Sequence, residues 1–280
     1  MSDKLQRFEK ARLFICPFCS HSLKLEEKSL KCPNKHSFDL AKFGYINLAP
    51  QVKQSKNYDK NSFQNRQIIL QAGFYQHILS ELFDLLKTFP DKQNILDSGC
   101  GEGYYAREIQ KKDSEKQIYA FDLSKDSIQL ATKQDVTLAV NWFVGDLSHI
   151  PICDASIDII LDVFSPANYQ EFNRILDKKG LLIKVIPTHQ HLIEIRNKIS
   201  EQLEQKEYSN DKIVQHFKEN FHLVSSHSVV TTYPLKEREK EALLDMTPLL
   251  FHVDKKAIDW SDLTHITIAA DIMVGRKKEM

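Results

Sequence analysis

Residues 95–103 read Ile-Leu-Asp-Ser-Gly-Cys-Gly-Glu-Gly, an apolar strand that ends in an acid and turns through three glycines into a helix. Glycine suits such a turn because a Cβ would block the tight backbone and the close approach of a ligand. The spacing is Gly-x-Gly-x-Gly after an Asp, which is less suited to cradling a pyrophosphate than Gly-x-Gly-x-x-Gly. The stretch predicts a cofactor site at a strand-to-helix turn.

Two further acids stand at the ends of predicted strands downstream of this turn. Asp122 follows about nineteen residues past Gly103, and Asp146 closes the next strand. A carboxylate at the first position can bind both hydroxyls of a ribose, and an acid at the second commonly meets an adenine amine. The alternative is that Asp122 only caps the helix beginning near Lys125. Three strand-end acids at one sheet edge favour the cofactor interpretation.

Strand and helix signals alternate along the middle of the chain, which is typical of a parallel sheet covered on both faces. The predicted strands are 94–96, 117–121, 142–144, 157–164 and 181–186, with helices from residues 103 and 125 and over 169–176. Upstream, apolar residues at three- and four-residue steps over 68–86 predict one or two amphipathic helices. Downstream, 191–205 and 236–245 are predicted as helices and 223–232 and 264–276 as strands.

This series of strand-end motifs resembles the class I methyltransferases over residues 90–280. The resemblance implies an α/β, Rossmann-like domain that binds S-adenosylmethionine. It implies cofactor contacts from Asp97, Gly99, Gly101, Glu102, Asp122 and Asp146. The fourth strand ends in Val163-Phe164-Ser165-Pro166, where family members hold the target base, and an aromatic ring there can stack on a nucleobase. Ordinary core packing is the alternative for Phe164.

A second motif lies near the amino terminus, where Cys16, Cys19, Cys32 and His36 follow a Cys-x2-Cys-x12-Cys-x3-His spacing. Two close pairs separated by a short hairpin can supply four ligands to a tetrahedral zinc ion. Four protein ligands leave no open coordination position, so the spacing predicts one structural Zn²⁺. His21 follows Cys19 too closely to replace His36. The alternative is a set of buried thiols without metal.

Charge is distributed unevenly along the 280 residues, although the net charge is zero. Residues 1–60 hold twelve Lys or Arg against six Asp or Glu, which suits a polyanionic partner, with a merely solvated basic surface as the alternative. We expect a zinc-binding RNA-recognition β module over residues 1–50, a basic connector over 51–65 carrying Lys53, Lys56 and Lys60, and a catalytic domain over 66–280. No apolar segment predicts a membrane partner or a signal peptide, so we expect a cytoplasmic protein.

The order of these motifs is similar to that of the RlmA-type 23S ribosomal RNA guanine-N1 methyltransferases over nearly the whole chain. The similarity includes the segment 38–48, the glycine-rich turn, the Arg-x6-Gly-x-Tyr segment that ends at Tyr75, and the Pro-Thr-His-Gln-His-Leu segment 187–192. It implies methylation of N1 of one guanine in a hairpin loop of 23S ribosomal RNA, RNA binding by the zinc module, and a homodimer. It also implies cofactor contacts from Tyr75, Gly101, Glu102 and His191.

Asp162 stands two residues before the fourth-strand aromatic Phe164, at a position that varies in the family. Guanine N1 must lose a proton, and Asp162 is a candidate acceptor beside water. Two other functions stay open: a small-molecule methyltransferase with a structural zinc lid, and a non-catalytic RNA-binding protein with a degenerate methyltransferase fold. The basic zinc module counts against the first, and the intact acid-glycine turn counts against the second.

Overall fold

Two β-sheets form the framework of the computed structural model, which describes residues 3–52, 60–200 and 208–278. The small antiparallel sheet consists of β1 (Lys24–Glu26), β2 (Ser29–Lys31) and β3 (Ser37–Asp39). The large sheet consists of β4 (Ile46–Asn47), β5 (Asn94–Ser98), β6 (Gln117–Asp122), β7 (Asn141–Val144), β8 (Ile157–Val163), β9 (Leu176–Pro187), β10 (Phe221–Pro234) and β11 (His265–Lys277). Its strand order is β10-β11-β9-β8-β5-β6-β7-β4.

The parallel strands predicted in the middle of the chain belong to a mixed sheet, in which β11 runs in the opposite direction. This strand is antiparallel to both of its neighbours, β9 and β10, whereas the remaining pairs of the large sheet are parallel. Pro234 at the end of β10 lies opposite His265 at the start of β11. The end of β10 and the start of β11 therefore lie at the same end of the sheet. Two neighbouring strands connected in this way are antiparallel.

Helices pack on both faces of the large sheet. They are α1 (Gln6–Glu9), α2 (Lys60–Gln71), α3 (Gln76–Lys87), α4 (Tyr104–Lys112), α5 (Lys125–Gln134), α6 (Tyr169–Ile175), α7 (Ile193–Lys198), α8 (Asp211–Asn220) and α9 (Glu237–Met246). The amphipathic segment over 68–86 thus belongs to two helices, separated by Gly73 in a left-handed conformation (φ +87°). The helix predicted over 191–205 ends at Lys198, and residues 201–205 lie outside the described ranges.

Two hydrophobic cores lie on opposite faces of the large sheet. One joins buried residues of α2, α3, α4, α5, α7 and α9 to the sheet. The other joins α6 and α8 to the amino-terminal module, through residues such as Phe8, Phe14 and Phe38. The amino-terminal module is therefore packed on one face of the catalytic sheet. Within the ranges that the structure describes, no helix is long and apolar enough to cross a membrane.

The amino-terminal module is attached to the catalytic sheet by aromatic, ionic and backbone contacts. The ring of Phe14 packs edge-on against Tyr119 and Phe143, each at 5.2 Å between centroids. The buried Arg7 pairs with the buried Asp135 at 3.2 Å. Strand β4 pairs with β7, so the sheet of the predicted catalytic domain begins before residue 50.

The predicted basic connector lies only partly within the described structure. Helix α2 begins at Lys60, inside the predicted range 51–65. Lys53 and Lys56 fall outside the described residues. The path of this segment over the surface therefore stays a prediction from the sequence.

Candidate active site and metal centre

The glycine-rich turn that follows β5 contains three glycines with a left-handed backbone conformation. Gly99, Gly101 and Gly103 have φ values of +68°, +55° and +72°. A Cβ on Gly99 would lie 2.0 Å from Ser165 Oγ, and one on Gly103 would lie 2.3 Å from a ring carbon of Trp142. Both distances are far below contact, so the turn needs glycine for conformation and for space.

Asp122, at the end of β6, holds this turn in place. One carboxylate oxygen accepts a hydrogen bond from the N–H of Gly101 at 3.0 Å, and the other accepts from the N–H of Ser124 at 2.8 Å. Burial raises the pKa of Asp122, and these hydrogen bonds oppose that rise. The N-cap of α5 is Ser124, which accepts from the N–H of Ser127, so Asp122 is not the capping residue.

A cavity of about 910 Å³ opens at the carboxyl ends of β5, β8 and β9. It brings together six of the residues predicted for the site: Tyr75, Asp97, Gly99, Glu102, Phe164 and His191. Gly101, Asp122, Asp146 and Asp162 lie outside its lining. Asp146 accepts a hydrogen bond from the N–H of Ser148 at 2.8 Å in the loop after β7.

Two buried acids give one end of the cavity a negative character. Asp97 and Glu102 are each 2% exposed, and one carboxylate oxygen of each has no hydrogen-bond partner among the described residues. Burial raises the pKa of Asp97 to about 7, with further contributions from Asp122, Asp162 and Glu102. The guanidinium of Arg66 lies 4.0 Å from Glu102. A cationic group entering here would stabilise the ionised carboxylates.

Three aromatic rings form a second part of the cavity wall. Phe164 has a left-handed backbone (φ +53°) and is 36% exposed. Its ring stacks on His191 at 5.4 Å between centroids and meets Tyr75 edge-on at 5.8 Å. Burial lowers the pKa of His191 to about 4, so its imidazole is neutral at pH 7. The exposed ring and the strained backbone of Phe164 favour a ligand-facing role over core packing.

The candidate proton acceptor Asp162 is fully buried and forms an ion pair with Lys184 of β9 at 2.6 Å. Burial raises the pKa of Asp162 to about 7, although Lys184 opposes that rise. Lys184 lines the cavity, whereas Asp162 does not. Our sequence reasoning missed Lys184, yet a signal was present. A lysine within the apolar run 181–186 must find a partner when that strand is buried.

The predicted metal ligands meet at one point in the amino-terminal module. The Sγ atoms of Cys16, Cys19 and Cys32 and the Nδ1 atom of His36 all lie within 4.8 Å of one another. The three Sγ–Nδ1 distances are 3.4, 3.5 and 3.4 Å, and the Cys19–Cys32 Sγ–Sγ distance is 3.6 Å. Tetrahedral zinc with these ligand types has edges of roughly 3.5–3.8 Å. The four residues therefore fit a closed structural zinc site.

Comparison with known proteins identifies the family. Residues 14–56 match the zinc-ribbon model described as RlmA, N-terminal, and residues 95–180 match the methyltransferase domain model. YxjB of Bacillus subtilis (strain 168), named as a candidate 23S rRNA (guanine-N(1)-)-methyltransferase, is 35% identical over 95% of this chain and 97% of its own length. The chain belongs to the 23S rRNA (guanine-N1)-methyltransferase family.

More distant proteins agree with this assignment of family and fold. The 23S rRNA (guanine(748)-N(1))-methyltransferase of Streptomyces fradiae is 24% identical over 87% of each chain. A SAM-dependent methyltransferase from Aquifex aeolicus has a similar fold, with a TM-score of 0.50 at 13% identity, and covers 78% of this chain and 99% of its own. The predicted class I fold with an amino-terminal zinc module is confirmed.

The methyltransferase cavity fits S-adenosylmethionine on the chemistry of its own residues. That molecule carries a sulfonium and an ammonium, and Asp97 and Glu102 each offer a buried carboxylate oxygen to which no described residue donates a hydrogen bond. Gly99 lines the cavity without a side chain, and a Cβ there would collide with Ser165. The volume of about 910 Å³ is within the range of small-molecule sites. When bound, S-adenosylmethionine supplies a methyl group activated by its sulfonium.

Proposed function

We propose that this chain transfers a methyl group from S-adenosylmethionine to N1 of a specific guanine in 23S ribosomal RNA. One observation carries the proposal beyond family membership: a single cavity joins the acid-glycine turn to the exposed ring of Phe164. Stacking of a base on an aromatic ring contributes about 1–3 kcal/mol. The cavity thus offers a cation-binding end for the methyl donor and a stacking surface for its acceptor.

The protein contributes mainly position to such a reaction, because transfer from a sulfonium is an in-line displacement. Asp97 and Glu102 would hold the cationic part of the donor. Asp122 would act on the ribose, as the sequence predicted, and through its hydrogen bond to Gly101 it fixes the turn. Tyr75, Phe164 and His191 form a rigid aromatic wall beside the acceptor position.

A hairpin-loop guanine is the substrate that this arrangement favours. The target base must leave its neighbours to enter a cavity at the sheet edge, and an unstacked loop nucleotide does so at less cost than a paired one. The zinc module would bind the RNA backbone through its exposed lysines, among them Lys24, Lys28 and Lys35. Since the proposed substrate is ribosomal RNA, we place the reaction in the cytoplasm.

The alternative of a small-molecule enzyme with a zinc lid has less structural support. The described residues that line the cavity lie at Arg66 or beyond it in the chain, and the zinc module packs on a face of the sheet. This arrangement supports a role of the module in RNA binding over a role as a lid of the cavity. The predicted homodimer stays a proposal, which analytical ultracentrifugation of the full chain would test.

Mass mapping of modified nucleotides in 23S ribosomal RNA tests the proposed function in the cell. We expect one guanine to lack its methyl group in a strain from which the gene is deleted, and to regain it when the gene is restored. Restoration with a Gly99→Val variant serves as the control, because Gly99 has neither the space nor the backbone conformation for a side chain. An identical methylation map in all strains would overturn the proposal.

A further inference from the structure

Lys184 lines the cavity, and described residues accept hydrogen bonds from two of the three donor positions of its ammonium. Nζ donates to Asp162 Oδ2 at 2.6 Å and to the carbonyl oxygen of Ser165 at 3.1 Å. An ammonium carries three N–H donors. Lys184 lines the cavity, and its side chain is only 5% exposed. Its third donor is therefore available to a ligand that enters the cavity.

This donor lies next to the proposed stacking surface for the acceptor base. Ser165, whose carbonyl accepts from Lys184, directly follows Phe164 in the turn after β8. A base that stacks on the ring of Phe164 presents its edge to the groups beside that ring. The edge of a guanine carries the acceptor O6 next to the N1–H donor. The ring of Phe164 and the ammonium of Lys184 together suit a 6-oxopurine such as guanine, which stacks on the ring and accepts a hydrogen bond at O6.

We propose that Lys184 donates a hydrogen bond to O6 of the target guanine and stabilises the negative charge that develops there. This inference rests on the proposed function and names a specificity-determining residue for it. Adenine carries an amino group, itself a donor, where guanine has O6. Lys184 would therefore discriminate against adenine as well as promote the reaction of guanine.

The chemistry explains why a cation at O6 accelerates methylation at N1. The N1–H bond breaks and its proton passes to water, which leaves an electron pair shared over N1, C6 and O6. That pair forms the new N1–carbon bond as the bond between the methyl carbon and the sulfonium sulfur breaks, with its electrons remaining on sulfur. A fixed donor at O6 stabilises the anionic base, so it lowers the pKa of N1–H in the bound guanine.

Asp162 is a positioning residue in this scheme, because it reaches the cavity only through Lys184. Its carboxylate accepts a hydrogen bond from the ammonium and holds it beside the turn after β8. The other strand beside Lys184 presents Met273, which is apolar. The charge of Asp162 also raises the pKa values of Asp97 in β5 and Tyr169 in α6. Asp162 is thus the acid that faces Lys184 directly.

Single-turnover methylation of a 23S ribosomal RNA fragment by excess enzyme with saturating S-adenosylmethionine, followed across pH, tests the inference. We expect Lys184→Met to lower the rate at pH 7 by about 10²–10³-fold, the usual effect of losing one donor to a developing oxyanion. The rising part of the pH–rate profile should also move to higher pH, because N1–H of the bound base becomes less acidic. In Lys184→Met the buried carboxylate of Asp162 loses its ion-pair partner. The double variant Asp162→Asn with Lys184→Met removes that carboxylate as well and should show the same shift of the pH–rate profile.

Lys178→Met, an exposed lysine on the same strand, is the matched control and should keep the wild-type profile. A Lys184→Met enzyme with the wild-type rate and profile would overturn the inference alone. A rate loss that is equal at every pH would also overturn it, because a merely structural role predicts that pattern. Failure of the wild-type chain to methylate the RNA would overturn the proposed function itself.

Discussion

Asp122 connects two parts of the cofactor site through its two carboxylate oxygens. It holds the N–H of Gly101 in the glycine turn and the N–H of Ser124 at the start of α5. We expect Asp122→Ala to weaken binding of S-adenosylmethionine by roughly 1.5–3 kcal/mol, because a charge-assisted partner of the ribose is lost. Isothermal titration measures the effect. A dissociation constant equal to that of the wild type would remove Asp122 from the site.

Asp97 should make cofactor binding depend on pH. Its pKa in the free protein is raised to about 7 by burial, and Glu102 and Asp122 also have raised pKa values. A cationic ligand binds the ionised form and lowers these pKa values, so affinity should fall as pH drops below 7 and level off above it. Titrations between pH 5.5 and 7.5 check this, with Asp97→Asn as the comparison. Equal pH dependence in the variant and the wild type would exclude Asp97 as the titrating group.

Much of the residue-level site could be predicted, since glycines, strand-end acids and close cysteine pairs each have a chemical reason for their spacing. Gly99 and His36 are examples that the geometry explains. Lys184 was missed because its importance depends on a cross-strand neighbour, Asp162, that the sequence places 22 residues away. The orientation of Phe164 likewise depends on a left-handed backbone that a sequence pattern does not reveal.

We expect the fold of the small amino-terminal sheet to depend on the two turns that carry the zinc ligands. The N–H of Ser20 donates to the carbonyl of Cys16, and the N–H of Lys35 donates to the carbonyl of Cys32, so each pair of ligands closes a tight turn. The small sheet has only three short strands, and a structural metal can stabilise a module of this size. Binding of the metal should therefore be coupled to folding of residues 14–50.

We expect one zinc ion per chain in the purified protein. Cys32→Ser should lose it together with the fold of the zinc module, because a serine hydroxyl is a poor replacement for a thiolate ligand. Elemental analysis gives the zinc content, and limited proteolysis reports the state of residues 14–50. Cys153→Ser is the matched control, since Cys153 lies outside the ligand cluster. Full zinc occupancy in the Cys32 variant would contradict the ligand set.

At the scale of secondary structure, the strands and helices with strong periodicity were predicted and the connections between them were not. The alternation of buried strands from β5 to β9 follows directly from apolar runs. The reversed direction of β11 follows from where the chain re-enters the sheet, which local periodicity does not encode. Helix α8 was not predicted, although Ile213, Val214 and Phe217 follow a helical spacing, because the segment is short and its other residues are polar.

Across the whole molecule, the basic connector should link RNA binding by the zinc module to catalysis. Lys53 and Lys56 lie outside the described residues, so this prediction rests on the sequence. Replacing Lys53, Lys56 and Lys60 by Ala should weaken RNA binding and leave the affinity for S-adenosylmethionine unchanged. Three lost phosphate contacts reduce the slope of log affinity against log salt by roughly 2–3. Equal slopes for the variant and the wild type would place the RNA path elsewhere.

We propose that this chain methylates N1 of a guanine in 23S ribosomal RNA. Transfer of a labelled methyl group from S-adenosylmethionine to protein-free 23S RNA, followed by nuclease digestion and mass spectrometry of the nucleosides, tests it most directly. We predict that the label is recovered as 1-methylguanosine at a single position and that Asp97→Asn reduces its yield. Label recovered in another nucleoside, or no transfer to RNA by a zinc-loaded chain that binds S-adenosylmethionine, would contradict the claim.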